Sequence, residues 1–137
     1  MTGRKTPLRA RLVLGVWTLA IWGSRLRNAI VDDDLDGGER ISATAIAVVF
    51  VVLGAGVLLT LWRQLRPHRS LVRVLAVAGV LRFTVRGPIV LASDEWSSGF
   101  KAVHTILWAV TAALSVWAWR ELRSARVVER VSVSEPT

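Results

Sequence analysis

Four long apolar runs, with clusters of arginine at alternate ends, are the feature of this chain that most limits its fold. Each run holds roughly 20 residues, the length of α-helix that crosses the hydrocarbon core of a bilayer. Basic clusters stand at the start of the chain and after the second and fourth runs. They are Arg4/Lys5/Arg9/Arg11, Arg63/Arg66/Arg69/Arg73 and Arg120/Arg123/Arg126/Arg130. Because Lys and Arg resist translocation, such clusters mark the cytoplasmic ends of membrane helices.

This pattern predicts the fold class and the domain organisation. We expect an all-α integral membrane protein, with a four-helix bundle in one domain over residues 1–126 and a disordered cytoplasmic tail over 127–137. The expected helices cover about 12–31, 41–62, 71–92 and 100–119. The first run is interpreted as an uncleaved helix, because arginines rather than small residues follow it. Pro88 falls near the outer end of the third helix, where proline would kink or stop it.

The distribution of charge predicts the orientation of the helices. The segments expected on the cytoplasmic side hold twelve Lys/Arg and three acidic residues, whereas the outer segments hold six Lys/Arg and seven acidic residues. A twofold excess of cations in short loops places both termini in the cytoplasm, in the inner membrane of a bacterial cell. Tryptophan is typical of membrane interfaces, so we expect Trp62, Trp117 and Trp119 at the inner interface and Trp22 and Trp96 at the outer one.

The two halves of the chain are similar at a shift of 57 residues (119 − 62). At this shift Trp62-Arg63-Gln64-Leu65-Arg66 matches Trp119-Arg120-Glu121-Leu122-Arg123, and Arg25 falls on Arg82. The match favours a duplicated helix pair (2+2). Convergence explains it equally well, because an aromatic residue followed by basic ones is common at inner helix ends. Gly54 lies among small residues whose spacing is typical of close helix packing in membranes.

Arg25, Arg82 and Arg86 lie inside the predicted membrane helices. An arginine at the centre of a membrane helix costs about 2.5–3.5 kcal/mol, so such residues need a partner or water. Arg82 and Arg86 are one turn apart and share a helix face. We expect these arginines, with Arg27, to form structural ion pairs with acidic residues of the outer loops. Those acids are Asp32, Asp33, Asp34, Asp94 and Glu95. The alternatives are a cationic recess that takes an anionic headgroup or solute, and a partner subunit that supplies the counter-charge.

His104 lies one turn into the predicted fourth helix and completes the candidate cluster. We expect it to be a structural histidine, hydrogen-bonded near Arg86 or Asp94. The only other histidine, His68, is predicted on the opposite side of the membrane, so the two cannot ligate one haem. The sequence contains no cysteine, no recognisable nucleophile motif and no carboxylate pair within the membrane. No catalytic, cofactor-binding or metal site is therefore expected, and the chain is not predicted to be an enzyme.

Over its whole length the chain resembles small four-helix membrane proteins encoded in high-GC bacterial genomes and their prophages. The segments that carry this likeness are Gly23-Ser24-Arg25-Leu26-Arg27-Asn28, Arg82-Phe83-Thr84-Val85-Arg86-Gly87 and Phe100-Lys101-Ala102-Val103-His104-Thr105. The resemblance implies a helical membrane protein, and no catalytic residue can be carried over from it.

Two classes of function fit this sequence. The first is a protein that acts through helix or lipid contacts, as an accessory subunit, an assembly factor or a prophage-exclusion protein. The second is a small transporter, channel or holin that uses an arginine-lined recess in the outer leaflet. The expected partners are the lipid bilayer, an anionic lipid headgroup, and a second copy or another membrane protein. Nucleic acid is not expected, because the basic residues are dispersed over helix ends.

The surroundings of Arg25, Arg82 and Arg86 would separate these two classes. Convergence of the three arginines on a continuous water-filled cavity favours transport. Capping of the arginines by acidic residues of the loops favours a role through contacts.

Overall fold

The chain folds into four α-helices. The computed structural model describes residues 8–31, 36–65 and 68–133. Within these ranges the helices are α1 (Arg9–Val31), α2 (Gly37–Trp62), α3 (His68–Ala92) and α4 (Ser98–Val133), and there is no strand. The first three helices end at the residues expected from the sequence. The prediction of an all-helical, four-helix protein is confirmed.

The fourth helix is longer than the sequence predicted. It was expected to end at Trp119, but α4 continues to Val133. Residues 127–133, which were assigned to a disordered tail, are therefore helical, and residues 134–137 lie outside the described part. Residues 120–133 include four Arg and four Val and contain no Gly or Pro, so no strong helix breaker stands before Val133. Pro88 does not end α3 either; it lies inside that helix, which continues to Ala92.

Two different hydrogen-bonding motifs cap the ends of α2. At its start, the Asp36 carboxylate accepts a hydrogen bond of 2.7 Å from the Glu39 backbone N–H, as an N-cap. At its other end, Gln64 takes the left-handed conformation, with φ of 53°. The backbone N–H of Leu65 then donates to the Thr60 carbonyl at 2.9 Å, a Schellman-type closure. The matching segment after Trp119 continues as helix, so the two similar sequences differ in structure.

The helices form two hairpins that pack side by side. α1 packs mainly against α2, and α3 mainly against α4, while α1–α4 and α2–α3 contacts close the bundle. α1 and α3 therefore lie diagonally across the bundle. Each helix packs first against its hairpin partner, but Trp22 of α1 and Phe83 of α3 still approach each other across the bundle, with ring centroids 6.5 Å apart. One end of the bundle carries Glu39, Asp94 and Glu95 and is called the acidic end; the opposite end, with Arg63 and Arg120, is called the basic end.

Glycine allows α1 and α2 to approach closely. A Cβ atom at Gly54 would lie 3.3 Å from both Leu19 Cγ and Thr18 Cγ2, and 3.4 Å from the Gly15 carbonyl oxygen. A Cβ atom at Gly15 would lie only 2.8 Å from Leu58 Cδ2. The small residue at position 54 therefore serves close helix packing, as the sequence predicted.

Three helices are long and apolar enough to cross a membrane. By length and composition these spans are Gly37–Trp62, Arg69–Ala92 and Ser98–Ser124. α1 has 23 residues, enough for about 35 Å, but the polar stretch that begins at Ser24 lowers its hydropathy. Large apolar side chains also cover the outside of the bundle, including Val52 (63% exposed) and Ile106 (60% exposed). Contiguous exposed apolar surface of this kind is typical of a protein that contacts lipid.

Candidate anion-binding recess

A recess between α1, α3 and α4, near the acidic end, brings together most of the candidate residues. Arg25, Arg82, Arg86 and His104 all line it. Apolar side chains form most of its remaining wall, namely Trp22, Phe83, Val90, Leu91 and Trp108. The space inside is about 40 Å³. A water molecule needs about 10–15 Å³ by this measure, so the recess has room for a compact group and not for a large solute.

Arg25 and His104 are hydrogen-bonded across the recess. Arg25 Nη2 lies 3.0 Å from His104 Nε2, and His104 Nδ1 lies 3.1 Å from the Phe100 carbonyl oxygen. A guanidinium can only donate and a carbonyl can only accept. His104 is therefore the neutral tautomer with hydrogen on Nδ1, and Nε2 accepts from Arg25. The expected structural histidine is present, but its partner is Arg25 rather than Arg86 or Asp94.

A stack of rings at the start of α4 fixes the position of His104. The Phe100 ring lies 4.0 Å from the His104 ring, centroid to centroid, and the Trp96 ring lies 4.3 Å from Phe100. Phe100 and His104 are four positions apart and so share a face of α4, while Trp96 lies in the turn just before that helix. Trp96 was expected only as an interface anchor. Its spacing from Phe100 and His104 was the signal in the sequence for this stack.

An aromatic layer closes the recess towards the basic end. Trp22 is buried and stacks on Phe50, with ring centroids 4.2 Å apart, while Phe83 lies 6.5 Å from Trp22 in a tilted arrangement. The void beneath, bounded by Leu14 and Thr111, is about 10 Å³. That space is no larger than a single water needs. Trp22 is thus a core residue rather than a lipid-facing anchor, because Phe50 and Phe83 provide an aromatic partner surface inside the bundle. Its depth at the outer membrane interface stays a prediction.

Arg25 is oriented by neutral groups. Its guanidinium carbon lies 5.4 Å from the Trp22 ring centroid, a cation–π contact, and its Nη2 donates to neutral His104. Both contacts position the positive charge without neutralising it. Arg82 is partly buried and Arg86 is exposed, both beside Arg25 along the same recess.

The expected acidic partners that the structure describes, Asp94 and Glu95, do not line the recess. Within the described ranges, no acidic side chain forms an ion pair with Arg82 or Arg86. Asp94 and Glu95 are exposed and lie in the turn between α3 and α4. The other proposed partners, residues 32–34, lie outside the described residues. Arg27 is exposed and does not line the recess, so the structure brings together four of the seven candidate residues.

A buried ion pair at the basic end was missed by sequence reasoning. Arg11 and Glu121 have side chains that are 2% and 8% exposed, and Arg11 Nε lies 3.6 Å from Glu121 Oε2. Glu121 Oε1 also accepts a 3.1 Å hydrogen bond from the Ala10 backbone N–H, which ties the start of α1 to α4. Both charged residues had been counted only as members of the inner segments. The sequence feature that could have indicated this pair is Glu121, an acidic residue between Arg120 and Arg123.

The described residues contain no group of three or more His, Asp or Glu side chains arranged to hold a metal ion. The chain matches no protein-family model, no curated protein and no solved structure. The resemblance to small membrane proteins of high-GC bacteria and their prophages therefore stays a prediction.

Proposed function

We propose that this chain is a four-crossing protein of a bacterial inner membrane that acts through contacts and holds an anionic group in its recess. In this proposal both termini are cytoplasmic, and the acidic end of the bundle faces outwards. The ligand chemistry is that of a phosphate group, supplied by an anionic lipid headgroup or by free phosphate. The two source molecules share this chemistry and are distinguished by the experiment below.

The carrying observation is the concentration of positive charge in the recess, where no described acidic side chain pairs with Arg82 or Arg86. Arg25, Arg82 and Arg86 line one small space. Guanidinium groups in an environment of low polarity require a counter-charge. Planar guanidinium forks are also well suited to phosphate oxygens. An anion that enters the recess would supply that charge.

The apolar lining supports a lipid as the source of the anion. The recess combines guanidinium groups with the side chains of Val90, Leu91 and Trp108. A lipid headgroup beside such a wall satisfies the arginines while the attached chain stays in apolar surroundings. A free anion would use only the polar part of the lining.

The crossing of the membrane by α1 is supported by its packing. α1 lies antiparallel to α2, with contacts from Gly15 beside Leu58 to Trp22 beside Phe50. A helix that lies along a membrane-spanning neighbour over this length shares its depth. The Arg11–Glu121 pair and the Arg25–His104 hydrogen bond attach both ends of α1 to α4.

Transport or conduction, the second class, has weaker support from the geometry. A path through the bundle would have to pass the Trp22–Phe50 stack, beneath which the described residues leave room for a single water at most. The recess therefore favours binding over passage.

Thermal unfolding in detergent tests this function. The probes are inorganic phosphate, dioctanoyl phosphatidylglycerol and dioctanoyl phosphatidylcholine. We expect phosphatidylglycerol to raise the unfolding temperature and phosphatidylcholine not to do so. An equal response to inorganic phosphate would identify a free anion as the ligand. Arg82→Leu should unfold at the same or a higher temperature without ligand, because it removes a like charge beside Arg25 and Arg86, and should weaken the ligand response at least tenfold.

Arg27→Leu is the matched control, since Arg27 is an exposed arginine of α1 outside the recess. It should keep the full response. The proposal would fail if Arg82→Leu instead lowered the free energy of unfolding by about 1–3 kcal/mol and left the response to every probe unchanged. Arg82 would then only stabilise the bundle.

A further inference from the structure

A second groove lies between α3 and α4, towards the basic end. Ala76 and Val80 line it from α3, and Ser115, Trp119, Arg120 and Arg123 line it from α4. Its volume is about 490 Å³, which lies in the range of ligand-binding clefts and far above the 40 Å³ of the recess. The walls are apolar along the helices and basic at one end.

The groove contains an unsatisfied hydroxyl group. Ser115 is 4% exposed, and its Oγ has no hydrogen-bond partner among the described residues. Burial of a hydroxyl without a partner is unfavourable, and most buried polar groups in proteins are satisfied. Ser115 lines the groove, so a ligand there lies beside this hydroxyl and can accept its hydrogen after a change of the Ser115 rotamer.

The basic residues of the groove are in register with that hydroxyl. Ser115, Trp119 and Arg123 are four residues apart and share a face of α4, with Arg120 at its edge. Arg120 lies five positions beyond Ser115, about 7.5 Å along the helix. Both arginines are exposed, and no described acidic side chain forms an ion pair with either of them. Glu121, the acid between them, is directed to Arg11 instead.

We infer that this groove binds an anionic phospholipid of the cytoplasmic leaflet. The phosphate interacts with Arg120 and Arg123. An ester carbonyl, nearer the middle of the bundle, accepts the Ser115 hydrogen. An acyl chain lies against Ala76 and Val80. The inference rests on the proposed crossing of the membrane by α3 and α4. It does not depend on the recess, which lies towards the opposite end and is lined by other residues of α3 and α4.

Charge complementarity favours a lipid over a second copy of this chain. A symmetric dimer across the groove would bring two copies of Arg120 and Arg123 close together. Like charges that face each other across an interface are unfavourable. An anionic lipid replaces this repulsion by attraction to the arginines, and it also accepts a hydrogen bond from the Ser115 hydroxyl.

Native mass spectrometry of the full chain, released from detergent, measures the retained lipid directly. The probes are phosphatidylglycerol and phosphatidylcholine with identical acyl chains. We expect retention of phosphatidylglycerol, at least tenfold weaker in the double variant Arg120→Gln/Arg123→Gln. The control Arg9→Gln/Arg63→Gln removes two exposed arginines from the same end but outside the groove, and should retain the lipid fully.

Two further variants test the position of the lipid. Ser115→Ala should weaken retention several-fold without loss of helix content in circular dichroism. Val77→Trp should block the groove, because Val77 lines it and is 46% exposed, so the larger ring does not enter the core. Arg82→Leu changes the recess alone and should leave the groove lipid bound, so this proposal and the proposal for the recess can fail separately.

Three results would overturn the inference. The first is equal weakening by the groove pair and the control pair, which would indicate general attraction to basic residues. The second is equal retention of phosphatidylcholine. The third is a change of oligomeric mass in Val77→Trp with unchanged lipid retention, which would assign the groove to a second copy of the chain.

Discussion

Arg25 donates a hydrogen bond to His104 over 3.0 Å, although 79 residues separate the two in the chain. The bond joins the first helix to the last at the acidic end of the bundle. It also determines the protonation pattern of the ring, since Nε2 must accept from a guanidinium while Nδ1 donates to the Phe100 carbonyl. This hydrogen-bonded pair therefore keeps its positive charge on Arg25.

This relationship predicts one tautomer of His104 at neutral pH. Nitrogen-15 NMR of the labelled protein in detergent should show hydrogen on Nδ1 and an unprotonated Nε2. Arg25→Gln should leave the ring neutral but broaden its signals, because the shorter amide side chain no longer reaches Nε2. An Nε2–H tautomer in the parent protein would contradict the geometry.

The orientation of the helices can be tested with reporter fusions. We expect fusions at Thr137 to report the cytoplasm and fusions at Gly38 and Ser97 to report the outside, because of the twelve-to-six distribution of Lys and Arg. A tag at Met1 tests α1 separately, since only a crossing by α1 places it in the cytoplasm. A tag at Met1 that is accessible from outside would remove α1 from the membrane-spanning helices.

Glu121→Gln should destabilise the bundle. The substitution keeps a hydrogen-bond acceptor for the Ala10 N–H but removes the negative charge beside buried Arg11. Breaking a buried ion pair from one side typically costs about 3–5 kcal/mol. Chemical unfolding followed by circular dichroism measures the loss. Glu95→Gln, which removes an exposed acid at the opposite end, should change the free energy of unfolding by less than about 0.5 kcal/mol.

Gly54→Ala should loosen the packing of α1 against α2. The added Cβ would lie 3.3 Å from Leu19 Cγ and Thr18 Cγ2, closer than ordinary van der Waals contact. Overpacking of this kind costs about 1–3 kcal/mol. Gly23→Ala is the control, because a Cβ there meets nothing within 4 Å. It should be neutral or stabilising by about 0.5–1 kcal/mol, since alanine favours a helix over glycine. Equal effects of the two variants in thermal unfolding would show that position 54 does not set the distance between the helices.

Replacement of Gln64 by glycine should stabilise the end of α2. Gln64 adopts φ of 53°, a conformation that glycine takes without steric cost. We expect Gln64→Gly to raise the free energy of unfolding by up to about 1 kcal/mol in chemical denaturation. The same change at Glu121, its counterpart in the sequence match, falls inside α4 and should be destabilising instead.

The number and the main bounds of the helices could be predicted from the sequence, because they depend on local properties. The length of each apolar run and the charged residues after it place the ends of α1, α2 and α3 at Val31, Trp62 and Ala92. The end of α4 was missed because no Gly or Pro lies between Trp119 and Val133, so the loss of apolar character after Trp119 did not coincide with the end of the helix.

Only the tertiary structure determined which charges meet. The sequence identified Arg25, Arg82 and His104 as unusual, since polar residues in an apolar run are visible without a structure. Their convergence on one recess, and the pairing of Arg11 with Glu121, depend on which helices are neighbours and how each is rotated about its axis. A rotation of one residue moves a side chain by about 100° around the helix. The partners lie 79 and 110 positions apart (104 − 25 and 121 − 11), so no local pattern records their contact.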